Sequence, residues 1–495
     1  MGLCSPKVSN EEAYLFQKMV RFLGTNNVDS HTRHCHAPAV KGLLKAFGSA
    51  AMTNSIEELA HTGAVLVIEA DPYERHPVIS YRIREAARRG AGLIVANHYP
   101  INLVDVADYY LPLKPGTAAV LAAGLASIII EEELFDKAFI DRRTEGFELF
   151  KQSVARYTPQ YTSEVTGIAE GDLRSAARAY AGAEKAAIVS NIDPDRHSGG
   201  VELTLALANL ALLTGNLGRE STGLYLPFGE NNLQGSADMG TLPGALTGYQ
   251  QLEDKEVREK FSRAWGVKIN EKPGLSAEEV FTAGKSSTVK AMLILGENPA
   301  ACGEKKEEAV KVLKNLDFLV VQDLFMTETA ALADVVLPGA AFAEKTGTYT
   351  STERRVQLSR AAVEPPGMVY PDWAVLAELA GWLGFDWGYG GPEDIFAEIA
   401  ELTPQYAGIS YERLMRRGLQ WPCPSGEHDG TKFLYEGRFS RGLGLFSVVG
   451  AEPVKDGQLS RDAQYRSPDH LGCQCLSESM SKHSVISNFR RAWCR

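Results

Sequence analysis

The 495-residue sequence lacks the features that mark membrane, disulfide-stabilised and nucleic-acid-coating proteins. No uninterrupted apolar run reaches the roughly 18 residues that a transmembrane helix needs, so no membrane span is expected. Its seven cysteines are scattered and form no Cys-x-x-Cys pair, so spacing alone assembles no zinc or iron–sulfur site. A net charge of −11 argues against a nucleic-acid partner. The N-terminus has no apolar signal core, so we expect a cytoplasmic protein.

Strand and helix patterns alternate along most of the chain. Four short apolar runs predict buried strands, at 64–68, 93–95, 293–295 and 318–321. Three longer patterns predict helices, at 77–89, 117–133 and 305–314. Alternation of this kind indicates βαβ units around parallel sheets, so the predicted fold class is α/β.

The second half of the chain repeats the first. The phrase Ala-Asp-Tyr-Tyr-Leu-Pro at 107–112 recurs 226 residues later as Ala-Asp-Val-Val-Leu-Pro, and Pro72 and Pro299 lie 227 residues apart. Two matches at nearly one spacing predict two related, doubly wound, Rossmann-like halves, with chance similarity as the alternative. Each half would place a ligand crevice at the carboxyl ends of its strands.

These patterns and local composition divide the chain into five predicted segments. They are 1–31, an N-terminal segment that packs with the second half; 32–225, the first dinucleotide-binding half; 226–386, the second dinucleotide-binding half; 387–449, a small appended segment of helix and loop; and 450–495, a tail. The tail is rich in Ser, Arg, Cys and Gln and has no helical or strand period, so we expect it to be disordered or aberrant.

Residues 30–38 hold the densest group of reactive side chains. Three histidines and one cysteine fall within six positions, and they are His31, His34, Cys35 and His36. Arg33 and the neighbouring imidazoles would favour the thiolate form of Cys35, which is a nucleophile or a soft-metal ligand. A partly exposed polar loop before a helix is the alternative.

Other candidate binding residues lie in polar, Gly-rich segments. Backbone amides in residues 228–240 would approach a phosphate, and Asn and Gln side chains there would bond the edge of a heterocycle; a plain surface loop is the alternative. Gln322 and Asp323 follow a predicted strand, where a carboxylate reads a ribose or a guanine amine. An N-cap before residues 327–329 explains that pair equally well.

Nine ordered segments resemble the molybdopterin oxidoreductase superfamily, and within it the catalytic subunit of formate dehydrogenases. They are 25–29, 35–38, 51–55, 213–218, 231–235, 238–240, 296–299, 321–325 and 352–357. The resemblance extends from about residue 6 to residue 449. It implies a formate dehydrogenase/DMSO reductase-like fold, in which two α/β halves hold the cofactor.

The resemblance also implies an enzyme that oxidises formate to carbon dioxide, two electrons and a proton. Its cofactors would be two molybdopterin guanine dinucleotides and one molybdenum or tungsten atom, with Cys35 as thiolate ligand and His36 assisting proton transfer. The implied cofactor-binding residues are Gly229, Asn231, Asn232, Gln234, Gly235, Asp238, Gly296, Glu297, Asn298, Gln322, Asp323 and Thr327. The implied partners are formate and an iron–sulfur, hydrogenase or NADH-linked electron-transfer subunit.

Several departures from the family pattern qualify these expectations. The sequence lacks the family's N-terminal iron–sulfur domain and C-terminal pterin-binding cap, so we expect a fragment. The family's substrate-binding Arg falls on Leu205, and the first half carries Glu69 and Asp71 where added carboxylates would repel a pyrophosphate. We therefore expect the dinucleotide site of the first half to have lost family residues and that of the second half to have retained them. The alternative function is a degenerate, non-catalytic homologue that serves as a structural or electron-transfer scaffold.

Overall fold

The structure is a computed structural model that describes residues 1–30, 32–191, 200–282, 288–301 and 306–453; the side chains of 32–37 also lie outside the description. His31, a member of the reactive group at 30–38, and the predicted tail from residue 454 onward fall outside these residues. Within the described ranges, no helix combines the length and the apolar character needed to cross a bilayer.

The strands of the described residues are short and mostly apolar. In chain order they are β1 (Gly2–Cys4), β2 (Val28–Ser30), β3 (Ala64–Ile68), β4 (Gly92–Ala96), β5 (Tyr109–Leu111), β6 (Thr144–Glu145), β7 (Ala186–Ser190), β8 (Gly223–Tyr225), β9 (Ala291–Leu295), β10 (Phe318–Asp323), β11 (Val335–Pro338), β12 (Gly347–Thr350), β13 (Arg355–Ser359), β14 (Leu419–Gln420) and β15 (Gly444–Leu445).

The helices of the described residues connect these strands or pack beside them. They are α1 (Asn10–Phe22), α2 (Thr32–Phe47), α3 (Pro72–Arg75), α4 (Pro77–Arg88), α5 (Ala118–Glu131), α6 (Lys137–Arg143), α7 (Phe147–Val154), α8 (Pro159–Thr166), α9 (Glu170–Ala181), α10 (Gly200–Leu213), α11 (Leu233–Asp238), α12 (Lys255–Trp265), α13 (Ala277–Thr282), α14 (Lys306–Lys314), α15 (Asp372–Trp382), α16 (Pro392–Leu402) and α17 (Tyr411–Leu414). Short 3-10 helices lie at Ile56–His61, Asn102–Val106, Thr247–Tyr249, Ala330–Leu332 and Pro404–Tyr406.

The chain divides into two compact units. The second-half unit contains Met1–Arg33 and Glu230–Thr431, and the first-half unit contains His34–Gly229 and residues 432–453 of the described chain. The segment 387–449, predicted as a single appendage, is thus divided between the units after residue 431.

Each unit is built on a five-stranded parallel sheet. The two sheets share one arrangement, except that β1 and β2 precede the other strands of their sheet in the chain, whereas β7 and β8 follow theirs. The second-half sheet runs β11-β10-β9-β1-β2, and the first-half sheet runs β5-β4-β3-β7-β8. In each, the strand order reverses beside the central strand, which is β9 or β3. Doubly wound sheets bind ligands at such a reversal, beyond the carboxyl ends of the strands.

Matching hydrogen bonds confirm the repeat between the halves. The Asp108 carboxylate accepts from the backbone amide of Leu93 (2.8 Å), and Asp108 donates its own amide to the Leu93 carbonyl (2.9 Å). Asp334 and Leu319 form the same two bonds, at 2.7 and 2.9 Å. In both halves the aspartate therefore fixes the start of the third strand against the second.

The main elements fall within a few residues of their predicted bounds. Helix α5 is buried along most of its length, as its apolar sequence predicts. Strands β12 and β13 pair as an antiparallel hairpin. Apolar side chains on the two sheets form separate cores, which include Val67 and Val95 in the first half and Ile294 and Val321 in the second.

Candidate functional site

The carboxyl edge of the second-half sheet gathers several of the predicted residues. Ser5 follows β1, Gly296 follows β9, and Asp323 is the last residue of β10. The pairing of Leu295 with both Cys4 and Gln322 makes these three positions neighbours across the sheet. They therefore lie at the strand-order reversal, where a doubly wound sheet receives its ligand.

Gly296 allows the backbone to turn sharply at this edge. Its φ is +66°, and its amide donates to the carbonyl of Gln322 at 2.8 Å. A Cβ atom at this position would lie 3.1 Å from the Cβ of Ser5, and an L side chain disfavours this left-handed conformation. The left-handed backbone and the close approach of Ser5 together favour glycine at this turn.

Asp323 presents a largely desolvated carboxylate. Burial raises its pKa to about 6, against the lowering effects of the Leu324 and Phe325 amides and the charge of Lys7. The Leu324 amide donates to Oδ1 at 2.7 Å. A carboxylate held in this way is suited to accept hydrogen bonds from a nucleoside.

Asn298 and Thr327 hold the loops beside this edge. Asn298 donates from Nδ2 to Glu328 (2.8 Å), and its Oδ1 accepts from the hydroxyl and the amide of Thr329 (2.8 and 3.1 Å). The Thr327 hydroxyl accepts from the Ala330 amide (3.2 Å). Glu297, which precedes Asn298, is half-buried.

Gln322 is directed into the protein. Its Nε2 donates to Asp372 Oδ1 at 2.6 Å, and Asp372 also pairs with Lys345. Lys345 lies 2.9 Å from Glu12, so one buried ammonium joins two carboxylates. Burial alone would lower the pKa of Lys345, but Glu12 and Asp372 raise it above its usual value. This cluster connects α1 and α15 with the turn that precedes β12.

The Gly-rich segment 229–240 begins exposed and then becomes fully internal. Gly229 and Asn231 are exposed, whereas Asn232 is buried. Asn232 donates to the Val8 carbonyl (2.8 Å) and accepts from the Thr350 amide (2.7 Å). A Cβ at Gly235 would lie about 2 Å from the Asn232 and Asn10 amide oxygens, so only glycine fits there.

Asp238 and Gln234 lie on helix α11 and bond each other. Gln234 donates from Nε2 to Asp238 Oδ1 at 2.8 Å. The other carboxylate oxygen accepts from the Tyr406 hydroxyl (2.6 Å) and the Trp421 indole (2.7 Å). Burial raises the pKa of Asp238 to about 7 despite these donors. In the structure, these residues and Asn232 serve internal packing.

Cys35 and His36 lie in the first turns of α2, and their side chains are outside the description. The alternative prediction of a loop at this place was wrong, because the helix begins at Thr32 and continues through Pro38. Among the side chains that the structure describes, no three His, Cys, Asp or Glu residues form a group able to hold a metal ion.

The carboxyl edge of the first-half sheet has a different chemistry. Glu69, which follows β3, has a φ of +48°, and its carboxylate lies 3.2 Å from Nδ1 of His98. Asn97 follows β4 and donates to the Ala70 carbonyl at 3.2 Å. Within the described residues, neither the Asn97 Oδ1 nor the hydroxyl of Ser190, at the end of β7, has a hydrogen-bond partner, although both are buried.

The sequence reasoning missed three residues of these edges. Ser5 and Lys7 follow β1, a strand of three residues whose partners in β9 are 291 positions away. His98 was not among the predicted site residues. A signal was present for Ser5, since an apolar pair at positions 3 and 4 precedes a Ser-Pro turn.

Comparison with known proteins places these features in a family. A family model described as molybdopterin oxidoreductase matches residues 1–381. The chain is 44% identical over 439 residues to the F420-dependent formate dehydrogenase subunit alpha of Methanocaldococcus jannaschii, covering 88% of this chain and 65% of that protein. It is 38% identical to formate dehydrogenase H of Escherichia coli strain K12, covering 88% of this chain and 62% of that protein.

A solved structure shows the same fold at lower identity. Acetylene hydratase from Pelobacter acetylenicus matches with a TM-score of 0.68 and 23% identity, over 92% of this chain and 65% of that one. The chain thus spans a little under two thirds of the length of these relatives. The family match over most of the chain and the shared α/β architecture together establish that this chain belongs to the molybdopterin oxidoreductase family.

Proposed function

We propose that the chain is the catalytic part of a formate dehydrogenase, which converts formate to carbon dioxide, two electrons and a proton. The observation that carries this proposal is the identity of 38–44% with proteins named formate dehydrogenases, over 88% of the chain. Partners would be iron–sulfur, hydrogenase or NADH-linked subunits that accept the electrons, which fits relatives named as alpha subunits.

The residues at the second-half edge fit a dinucleotide form of molybdopterin. Gly296 is compatible with a pyrophosphate that approaches the backbone, because its left-handed turn beyond β9 carries no side chain. Asp323 offers acceptors for a ribose or a guanine amine, and Lys7 supplies a nearby positive charge. We assign the contacts with the cofactor to these three residues in preference to Asn232, Gln234 and Asp238, whose side chains form hydrogen bonds within the protein.

Cys35 and His36 are assigned the chemical step. The thiolate of Cys35 would be the protein ligand of a molybdenum or tungsten atom, a soft donor suited to a sulfur-bound metal. The bound metal–pterin group would accept the two electrons. His36 would take the proton, since an imidazole titrates near neutral pH. Both residues lie on α2, so one helix would hold metal ligand and proton acceptor.

Leu205 favours a second candidate function. It is half-buried on α10, at the position that the family resemblance assigns to the substrate-binding arginine. Without that guanidinium, a formate carboxylate loses a charge-assisted pair worth roughly 1.5–3 kcal/mol. A non-catalytic scaffold homologue, or an enzyme for another small substrate, would tolerate leucine here.

A direct assay distinguishes these candidates. The complete gene product that carries this chain is purified from a host that makes molybdopterin, and formate-dependent reduction of a viologen dye is measured. Formate-dependent turnover that disappears in Cys35→Ala supports the proposal. Metal-loaded protein that reduces no dye with formate would contradict it and favour the alternatives.

A further inference from the structure

The carboxyl edges of the two parallel sheets carry different residue types at equivalent positions. Leu295 pairs with Gln322 in one half and Ile68 pairs with Ala96 in the other, so the next residues correspond: Gly296 with Glu69, and Asp323 with Asn97. The second half has a glycine followed on the next strand by a carboxylate. The first half has a carboxylate followed on the next strand by an amide.

The backbone confirms this correspondence. Gly296 donates its amide to the Gln322 carbonyl at 2.8 Å, and Glu69 donates its amide to the Ala96 carbonyl at 3.0 Å. Both residues are left-handed, with φ of +66° and +48°. Glutamate is thus held in a conformation that favours glycine, and such strain persists where surrounding structure over-determines it and often accompanies function.

The Glu69 side chain reaches across to the neighbouring strand. Its carboxylate is 3.2 Å from Nδ1 of His98, the residue directly after Asn97, and its side chain is only 3% exposed. A carboxylate therefore lies at the end of the second strand in both halves. In one half Asp323 supplies it from that strand, and in the other Glu69 supplies it from the central strand.

Asn97 leaves a buried acceptor at the same edge of the sheet. It is 2% exposed, and the bond from Nδ2 to Ala70 fixes its amide plane. Its Oδ1 has no partner among the described residues, and a buried acceptor of this kind is costly unless a ligand satisfies it. A buried oxygen acceptor and a buried carboxylate at one sheet edge suit a ligand that offers more than one hydrogen-bond donor.

We propose that Glu69 takes over in the first half the nucleotide-reading role that Asp323 has in the second. Resting on the proposed function, the ligand is the guanosine end of a pterin dinucleotide, whose donors are the ribose hydroxyls and the guanine N1–H and 2-amino groups. The first-half site would then differ from the second-half site in the residue that supplies the carboxylate. The Glu69 carboxylate would contact the nucleoside and His98, and it would not face a pyrophosphate.

Guanine nucleotide binding to the cofactor-free full chain tests this inference. Asp323→Asn serves as the parent, so that the first-half site dominates, and GDP binding is measured by calorimetry. Adding Glu69→Gln is expected to weaken GDP binding about 10- to 100-fold, the usual effect of losing a charge-assisted hydrogen bond. Glu74→Gln, which removes an exposed carboxylate from α3, is the matched control and should leave affinity unchanged.

A swap variant separates the role from a folding effect. Glu69→Gly with Asn97→Asp copies the second-half arrangement and should restore affinity to within about threefold of the parent. IDP lacks the 2-amino group and 2′-deoxy-GDP lacks one ribose hydroxyl, so the weaker ligand identifies the donor that Glu69 reads. The inference is overturned if the parent binds no GDP, if Glu69→Gln binds it equally well, or if the folded swap variant stays weak. These outcomes are independent of metal content and formate turnover, which test the proposed function.

Discussion

The Tyr406 hydroxyl donates a hydrogen bond of 2.6 Å to Oδ2 of Asp238, and both side chains are fully buried in the second-half unit. Trp421 donates to the same oxygen and Gln234 to the other, so one carboxylate satisfies three buried donors. The bonds tie α11 to the chain near residues 406 and 421. Asp238 therefore has a structural role that does not depend on a cofactor.

Replacing Asp238 should destabilise the fold. Asp238→Ala removes the acceptor that three buried donors share, and each lost bond costs about 1–3 kcal/mol, although Gln234 and Tyr406 keep contacts with Tyr249 and Thr350. We expect the free energy of unfolding in urea to fall by at least about 3 kcal/mol. Asp105→Ala, at an exposed site in the first half, should change it by less than about 0.5 kcal/mol. A loss at Asp238 no larger than this control would show that the network contributes little.

Asp238 and Glu11 should make stability depend on pH. Burial raises the pKa of each to about 7, from 3.8 and 4.5, so the folded state binds these protons more tightly than the unfolded state. Their stabilising contribution is full below pH 4 and is lost as pH rises to 7, by up to about 1.4 kcal/mol per pH unit and group. The stability of wild type relative to Glu11→Gln should therefore decline between pH 5 and 7. A constant difference across that range would contradict the assignment.

Lys345 should be essential to the second-half unit. Lys345→Met leaves Glu12 and Asp372 buried together without their shared cation, and breaking such a pair typically costs about 3–5 kcal/mol. Thermal unfolding of Lys345→Met should occur well below the wild-type temperature. The control is Lys255→Met, which removes an exposed ammonium 3.7 Å from Glu259 and should shift the midpoint little.

Local sequence patterns were sufficient to predict much of the fold. The apolar run that forms α5, the strands β3 and β10, and the recurring Asp-containing phrase at Asp108 and Asp334 are all short-range signals. The strand order of the second-half sheet could not be predicted from such local patterns. Strand β1 has three residues, and its pairing with β9 depends on contacts between residues 291 positions apart.

The substrate position makes a further prediction. If formate is the substrate, Leu205→Arg supplies a bidentate partner for its carboxylate, and kcat/KM for formate should rise about 10-fold or more. Glu202→Arg, an exposed site on the same helix, controls for the added charge. A metal-loaded Leu205→Arg protein with no gain over this control would indicate that formate is not the substrate.

The sequence indicated the site less completely than the fold. It identified Gly296 and Asp323 at a strand end, because glycine and carboxylate types are informative there. It treated Glu69 as one more repelling charge, since neither its positive φ nor its contact with His98 can be read from residue order. Asn232 and Asp238 match a cofactor motif, yet the structure bonds them internally, and only three-dimensional contacts reveal that use.

The most direct test of the central claim is the metal and nucleotide content of the complete gene product, purified from a host that makes molybdopterin. Molybdenum or tungsten is measured by mass spectrometry, and guanine nucleotide is measured after acid release. We expect close to one metal atom and two guanine nucleotides per chain, with the metal lost in Cys35→Ala. Protein that folds normally yet contains neither metal nor guanine nucleotide, under conditions that load an active relative, would contradict the account.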